Sequence, residues 1–239
     1  MAAREPLQVL LFDVFGTCVD WRGGVIREGE ALGRRLGLRG VDWAAFADAW
    51  RGQYQPQMES VRSGRRAWVT LDVLHRESLD WLLREFGLDH VSAAERAVFT
   101  LAWHRLDPWP DTAAGLARLK RRFVVAPCSN GHIALMIGLA RHGGLAWDAI
   151  LGAEVARAYK PQPAVYLRSA EAAGAAPGAA MMVAAHADDL TAAAACGLRT
   201  AFVARPLEHG PGRSDAARPP DSCDVVARDF LDLADRLGA

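Results

Sequence analysis

Short apolar runs separated by stretches of helical periodicity constrain this chain more than any other feature. The runs lie at Val9–Phe12, Phe123–Ala126, Met181–Ala184 and Thr200–Val203, with a weaker one at Asp224–Ala227. They are too short for helices, and consecutive apolar residues suit strands covered on both faces, the condition of a parallel sheet. Between them Asp111–Arg122, Gly131–His142, Gln162–Ala173 and Leu190–Cys196 read as helices. This alternation predicts an α/β fold with a doubly wound, Rossmann-like parallel sheet. Such sheets bind ligands beyond the carboxyl ends of their strands, so residues just after each run are the first candidates for chemistry.

One long segment breaks the alternation. Residues 20–105 keep helical periodicity without a convincing strand, and Trp43, Trp50, Leu71, Leu74, Trp81 and Leu82 recur along it. The expected organisation is a core from 1–19 and 106–239, with a helical cap subdomain from 20–105 over the strand ends. A length of 239 residues suits one large α/β domain with such an insertion. Residues 205–222, rich in Pro, Gly and charge, read as an exposed loop before the last strand.

Composition narrows the partners. Lys plus Arg and Asp plus Glu each number 28, so no net field gathers nucleic acid or an anionic membrane. No apolar stretch approaches the roughly 18 residues of a membrane span, and MAAREPLQVLLF lacks the cleavage site of a secretory signal. Cys18, Cys128, Cys196 and Cys223 are scattered, without a C-x-x-C pair. The expectation is a soluble protein of the reducing cytoplasm.

The sharpest local pattern is LLFDVFGTCVDW, where the first strand ends on Asp13 and Phe15, Gly16 and Thr17 follow. Asp is common in turns, so Asp13 alone could be a cap. Three further segments argue otherwise. FVVAP runs into Cys128, Ser129, Asn130 and Gly131, placing small polar side chains and free N–H groups at a second strand end, a geometry suited to an anion. AYKPQPAVY puts Lys160 before two prolines, and a lysine held near Asp13 would keep that carboxylate ionised. MMVAAHADDL brings His186, Asp188 and Asp189 to another strand end.

In these four segments and their order the sequence resembles the haloacid dehalogenase superfamily, and the insertion after DVFGT is similar to that superfamily's helical cap. Within it, phosphatases carry a second Asp two residues after the nucleophile to protonate the departing alcohol. That position is Phe15 here, which can neither donate nor accept a proton. A departing halide needs no proton, so the resemblance is to the (S)-2-haloacid dehalogenases.

The resemblance implies attack by Asp13 on C2 of a short 2-haloacid, loss of halide, and hydrolysis of the resulting ester to a 2-hydroxyacid inverted at C2. It implies no cofactor, and no metal ligands are expected among the seven histidines, no two of which stand at zinc-motif spacing. Lys160 keeps Asp13 charged, Asp189 serves the hydrolytic water, and Thr17 and Tyr166 organise hydrogen bonds around Asp13. Ser129 and neighbouring N–H groups hold the substrate carboxylate. Arg51, on a cap helix, and Asn130 receive the halide, while Phe15 and cap aromatics such as Trp68 exclude bulk water. The family is commonly homodimeric, so a homodimer is expected.

The match departs at AAHADDL, where the family has Ser and Asn before the acid and an aromatic just ahead of it; His186 stands for the Asn and Asp188 for the aromatic. Adjacent acids are similar to the metal-binding end of the phosphatases, which keeps a metal-dependent phosphatase as the alternative reaction. A noncatalytic binding protein would more naturally have lost Asp13, Lys160 or Asp189. A Cys128 nucleophile with His132 as base competes with the simpler reading of Cys128 as a buried apolar residue.

Overall fold

A computed structural model describes residues 5–212 and 218–239. Its centre is a six-stranded sheet formed by β1 (Val9–Phe12), β2 (Val124–Ser129), β3 (Leu151–Gly152), β4 (Ala180–Ala184), β5 (Arg199–Val203) and β6 (Val225–Ala227). The order is β3-β2-β1-β4-β5-β6 and every neighbouring pair is parallel. The sequence reading thus finds the sheet, with one omission. β3 is two residues long and carries no apolar run to betray it, and β2 continues through Pro127 and Cys128 to Ser129 rather than ending at Ala126.

The period of two along each strand divides the core into two layers. Leu10 and Phe12 point to one face with Val125, Met181 and Val183, and Val9 and Leu11 to the other with Ala126, Met182 and Ala184. On the first face Phe230, which opens α11 (Phe230–Arg236), meets Phe12 edge-on at 5.4 Å between ring centroids, and α6 (Thr112–Leu119) packs beside α11. The opposite face is covered by α9 (Pro163–Ala172) and α10 (Ala187–Ala195), which contribute Val165, Tyr166, Leu190 and Ala193. All four residues of β1 are buried, as a central strand covered on both sides requires.

Between β1 and α6 the chain forms α1 (Trp21–Leu36), α2 (Trp43–Gly52), α3 (Tyr54–Arg62), α4 (Leu71–Glu85), α5 (Ala93–Thr100) and a single 3-10 turn, Leu101–His104. Asp20, Asp42 and Ser92 cap α1, α2 and α5 by accepting from the N–H of Gly23, Ala45 and Glu95. The helices close on an aromatic cluster in which Phe46 lies 4.9 Å from Phe86 and Trp50 lies 5.2 Å from Phe99 and 5.5 Å from Trp103. Trp81, by contrast, is 41% exposed on α4. No helix among the described residues is long and apolar enough to cross a membrane.

The stretch 205–222 is a loop and largely exposed among its described residues, as expected, but Arg205 and Glu208 turn inward. Arg205 Nε donates to the Thr17 carbonyl at 2.7 Å, its two terminal nitrogens each reach an Asp111 carboxylate oxygen at 2.8 Å, and Glu208 is only 5% exposed. Pro, Gly and charge signal a turn, but these charges have buried partners. Residues 213–217 of that stretch lie outside the described residues.

β3 packs so closely on β2 that a side chain at Gly152 has no room. Gly152 has φ +108°, and a Cβ there would fall 2.4 Å from the Ser129 carbonyl oxygen. Gly152→Ala is expected to cost about 1–3 kcal/mol through overpacking and a strained backbone, measured as a lower urea midpoint at unchanged m-value.

Candidate active site

The carboxyl ends of β1, β2 and β4 bring together residues far apart in the chain. Asp13 immediately follows β1, and its N–H donates to the Val183 carbonyl of β4 at 2.9 Å, which locks the carboxylate at the mouth of the sheet. The turn behind it depends on Gly16, with φ +86°, where a Cβ would meet Glu208 Oε1 at 2.1 Å. Asn130 follows β2, His186 and Asp189 follow β4, and Lys160 comes from the connection between α8 (Ala153–Ala156) and α9.

Asp13 is held by three donors. Lys160 Nζ lies 2.8 Å from Oδ1, while Thr17 Oγ1 donates to Oδ2 at 2.7 Å and His186 Nδ1 stands 3.0 Å from the same oxygen. Thr17 Oγ1 in turn accepts from the Ala185 N–H at 2.9 Å, so its proton is directed to Asp13. Burial alone would raise the Asp13 pKa, but the Lys160 ammonium and His186 outweigh it and hold the carboxyl well below the usual carboxylate range. Lys160 is drawn the opposite way: burial disfavours its charge, yet Asp13 and Asp189 keep it protonated well above the ordinary lysine value.

Asp189 lies across the same ammonium, 2.5 Å from Lys160 Nζ through Oδ2, and accepts from Tyr166 Oη through Oδ1 at 2.6 Å. Its pKa is raised, chiefly by burial, against the pull of Lys160. Asp188 is exposed and turns its Oδ1 to the Asp189 N–H at 3.0 Å. The two neighbouring acids therefore have different environments: one is buried and paired, the other is exposed in the first turn of α10.

His186 bridges Asp13 to a residue that the sequence reading missed. Its Nε2 is 3.0 Å from both oxygens of Glu208, and Glu208 Oε1 also accepts from Trp21 Nε1 at 3.1 Å. Burial lowers the imidazole pKa, but hydrogen bonds to Asp13 and Glu208 raise it to about 10. Below that pH His186 is a cation with a carboxylate on each side. The clue to Glu208 was its position five residues beyond β5, on the same edge of the sheet as the other sites, but the composition of its segment pointed to solvent.

A cleft of 750 Å³ opens over this network. It is lined by Asp13, Phe15, Asn130, Lys160, Tyr166, His186, Asp188 and Asp189, and from the helical side by Arg51, Tyr54 and Arg62. Phe15, two residues after Asp13, is 2% exposed and packs edge-on against Tyr54 and Trp103, so the cleft has an apolar patch there. Arg51 is clamped over Tyr54 at 4.2 Å and Trp21 at 5.3 Å, and its Nη1 is buried without a hydrogen-bond partner. An orphaned guanidinium donor at a cleft wall suits an anion. Asn130 Oδ1 accepts from the Lys160 N–H at 2.8 Å, which fixes the orientation of its amide, and the side chain also hydrogen-bonds to Tyr54.

Three expected participants stand outside the cleft wall. Thr17 acts from beneath through Asp13. Ser129 is fully buried and its Oγ accepts from the Gly131 N–H at 3.0 Å. Trp68 lies behind the wall against Tyr159, with Arg157 over its face at 4.4 Å. Cys128 is fully buried, and burial pushes its thiol up to about 12, a poor setting for a thiolate nucleophile.

Residues 7–197 match the haloacid dehalogenase-like hydrolase family. The chain belongs to that family. The crystal structure of a defluorinating L-2-haloacid dehalogenase is 46% identical, covers 98% of this chain and 96% of its own, and superposes with a TM-score of 0.94. A second L-2-haloacid dehalogenase structure is also 46% identical, with 97% and 99% coverage and a TM-score of 0.91. These likenesses place the chain among the L-2-haloacid dehalogenases. The (S)-2-haloacid dehalogenase of Pseudomonas sp. (strain YL) is 30% identical over 204 residues, 84% of each protein.

The raised pKa of His186 has a thermodynamic consequence. Its ordinary value is 6.5 and its folded value about 10, so its contribution to stability is complete below about pH 6.5 and is lost as pH rises through about 10. The difference in urea stability between the native protein and His186→Asn should therefore narrow from pH 6.5 to 10. A histidine NMR titration should place the His186 midpoint near the upper end of that window.

Proposed function

We propose that this chain hydrolyses short (S)-2-haloacids to 2-hydroxyacids through an ester on Asp13. The observation that carries the reading is the Asp13 carboxylate, ionised and buried at a strand end, with an apolar Phe15 and an unpaired Arg51 donor facing the same cleft. A carboxylate removed from bulk water is a stronger nucleophile, provided its charge is supported by fixed donors. Two relatives at 46% identity over nearly the whole chain support the same reaction class.

In the first step an Asp13 oxygen forms a bond to C2 while the carbon–halogen bond breaks, and halide leaves with the electron pair. Lys160 and His186 keep the nucleophile charged, and Arg51 and the Asn130 amide receive the halide. Ser129 shapes the Gly131 turn that presents Asn130 and its neighbouring N–H groups to the substrate carboxylate. In the second step water adds to the Asp13 carbonyl carbon, Asp189 accepts a proton from it, and the bond from that carbon to the ester oxygen breaks. The ester oxygen leaves with the product and takes the proton back from Asp189, while the oxygen from water stays in Asp13 and its second proton passes to solvent. Tyr166 and Thr17 hold the two carboxylates in register. Phe15 supplies no proton to a leaving group, which suits halide and disfavours a phosphate ester. The same reading has the enzyme acting as a cytoplasmic homodimer, and light scattering in solution tests the dimer.

Halide release from the separate 2-chloropropionate enantiomers tests the reaction: only the (S) enantiomer should turn over, giving the inverted lactate. In ¹⁸O-water under single-turnover conditions, the first product should be unlabelled and the label should appear in Asp13. Asp13→Asn should lose essentially all activity, and Phe15→Asp should lower kcat by about 10–1000-fold by adding a negative charge beside the nucleophile. Label in the first product would overturn the ester mechanism.

A further inference from the structure

Away from the cleft, three side chains with metal-ligating atoms meet where the helical insert rests on the core. Asp72 lies in the first turn of α4, His104 ends the turn Leu101–His104, and His132 precedes α7 (Ile133–Gly143), three residues after Ser129. One ligand atom from each lies within 4.8 Å of the other two. His104 Nε2 is 3.0 Å from both Asp72 oxygens, and His132 Nε2 is 3.4 Å from Asp72 Oδ2. Donors held about 2.0–2.1 Å from a tetrahedral ion stand about 3.3–3.4 Å from one another, so little movement would admit one.

Two further observations set this cluster apart from ordinary ion pairing. His132 is only 6% exposed and turns Nε2, not its unpartnered Nδ1, to Asp72, so a buried imidazole stands in the cluster without another side-chain hydrogen bond. Among the described residues Asp72 pairs with no lysine or arginine, so two imidazoles are the counter-groups of a partly buried carboxylate. The His104 ring is also fixed in place: it lies on α7 at Gly138, where a Cβ would come within 2.8 Å of Nδ1. None of the three lines the cleft, and the reaction leaves them without a role.

We propose that Asp72, His104 and His132 bind a divalent transition-metal ion of the zinc class, with water completing the coordination. Two imidazole nitrogens and one carboxylate oxygen suit zinc or cobalt rather than magnesium or calcium, which take mainly oxygen ligands. The bound ion joins α4 of the insert to the start of α7 in the core, beside the turn that carries Asn130. It acts as a clasp between insert and core, separate from the chemistry at Asp13.

The test uses the full chain, treated with chelator and then titrated with Zn²⁺ by calorimetry and with Co²⁺ by visible absorption. One ion per chain is expected, with tetrahedral cobalt bands, no competition from Mg²⁺, and a rise in Tm of about 5–10 °C at a zinc concentration near 100 times Kd. Asp72→Asn and His104→Gln, each shown by circular dichroism to be folded, should weaken zinc binding at least tenfold and remove the Tm rise. Retention of one tight zinc by both variants would place the ion elsewhere and overturn the proposal. So would the absence of saturable binding at submillimolar zinc in the folded native protein, which would leave the three residues as a hydrogen-bonded contact only.

Discussion

The Lys160 ammonium, 2.8 Å from Asp13 and 2.5 Å from Asp189, is the interaction on which the rest of the site depends. Two carboxylates buried side by side would repel and would each be driven to bind a proton; one shared cation makes Asp13 available as an anion. His186 repeats the device on the other side, between Asp13 and Glu208. The buried acids Asp13, Asp189 and Glu208 are thus offset by Lys160, His186 and Arg51, and a site dense in charge stays near neutral.

The doubly wound sheet serves this arrangement by delivering its strand ends to one place. β1 and β4 are neighbours in register, Phe12 opposite Val183, so Asp13 and the segment from Ala185 to Asp189 emerge side by side although about 170 residues separate them. β2 flanks β1 on its other side and sets Asn130 against the backbone of Lys160. From above, the aromatic cluster of the helical insert fixes Tyr54 and Trp103 against Phe15 and holds Arg51 over Tyr54 and Trp21. The wall nearest Phe15 is therefore aromatic, with one guanidinium nitrogen of Arg51 left unpaired beside it.

Much of this was legible in the residues. A run of apolar positions ending on Asp13, with polar residues after the later runs, located the carboxyl edge of the sheet, and the order of the motifs named Lys160, Asp189, Asn130, Tyr166 and His186 as its occupants. What escaped was short or compositionally disguised. β3 offers two residues and no periodicity. Glu208 sits among Pro, Gly and charged neighbours that statistically belong to solvent, and nothing local shows that His186 and Trp21 will meet it there. Ser129, which the resemblance sets at the substrate carboxylate, is fully buried, and nothing local in the sequence shows that its oxygen also accepts from the Gly131 N–H.

By itself the sequence determined which groups the chain can bring to bear: a carboxylate nucleophile without a proton donor two residues on, a lysine, two distant acids, and an apolar pattern that permits a two-sided parallel sheet. Those properties follow from side-chain chemistry and from the short-range periods of strand and helix. Only the tertiary structure decided their partners and charge states. The double engagement of Lys160, the cationic state of His186, the orphaned Arg51 donor and the meeting of Asp72 with His104 and His132 all arise from contacts between segments far apart in the chain. Electrostatic energy depends on distance and burial, and neither is written in the order of residues.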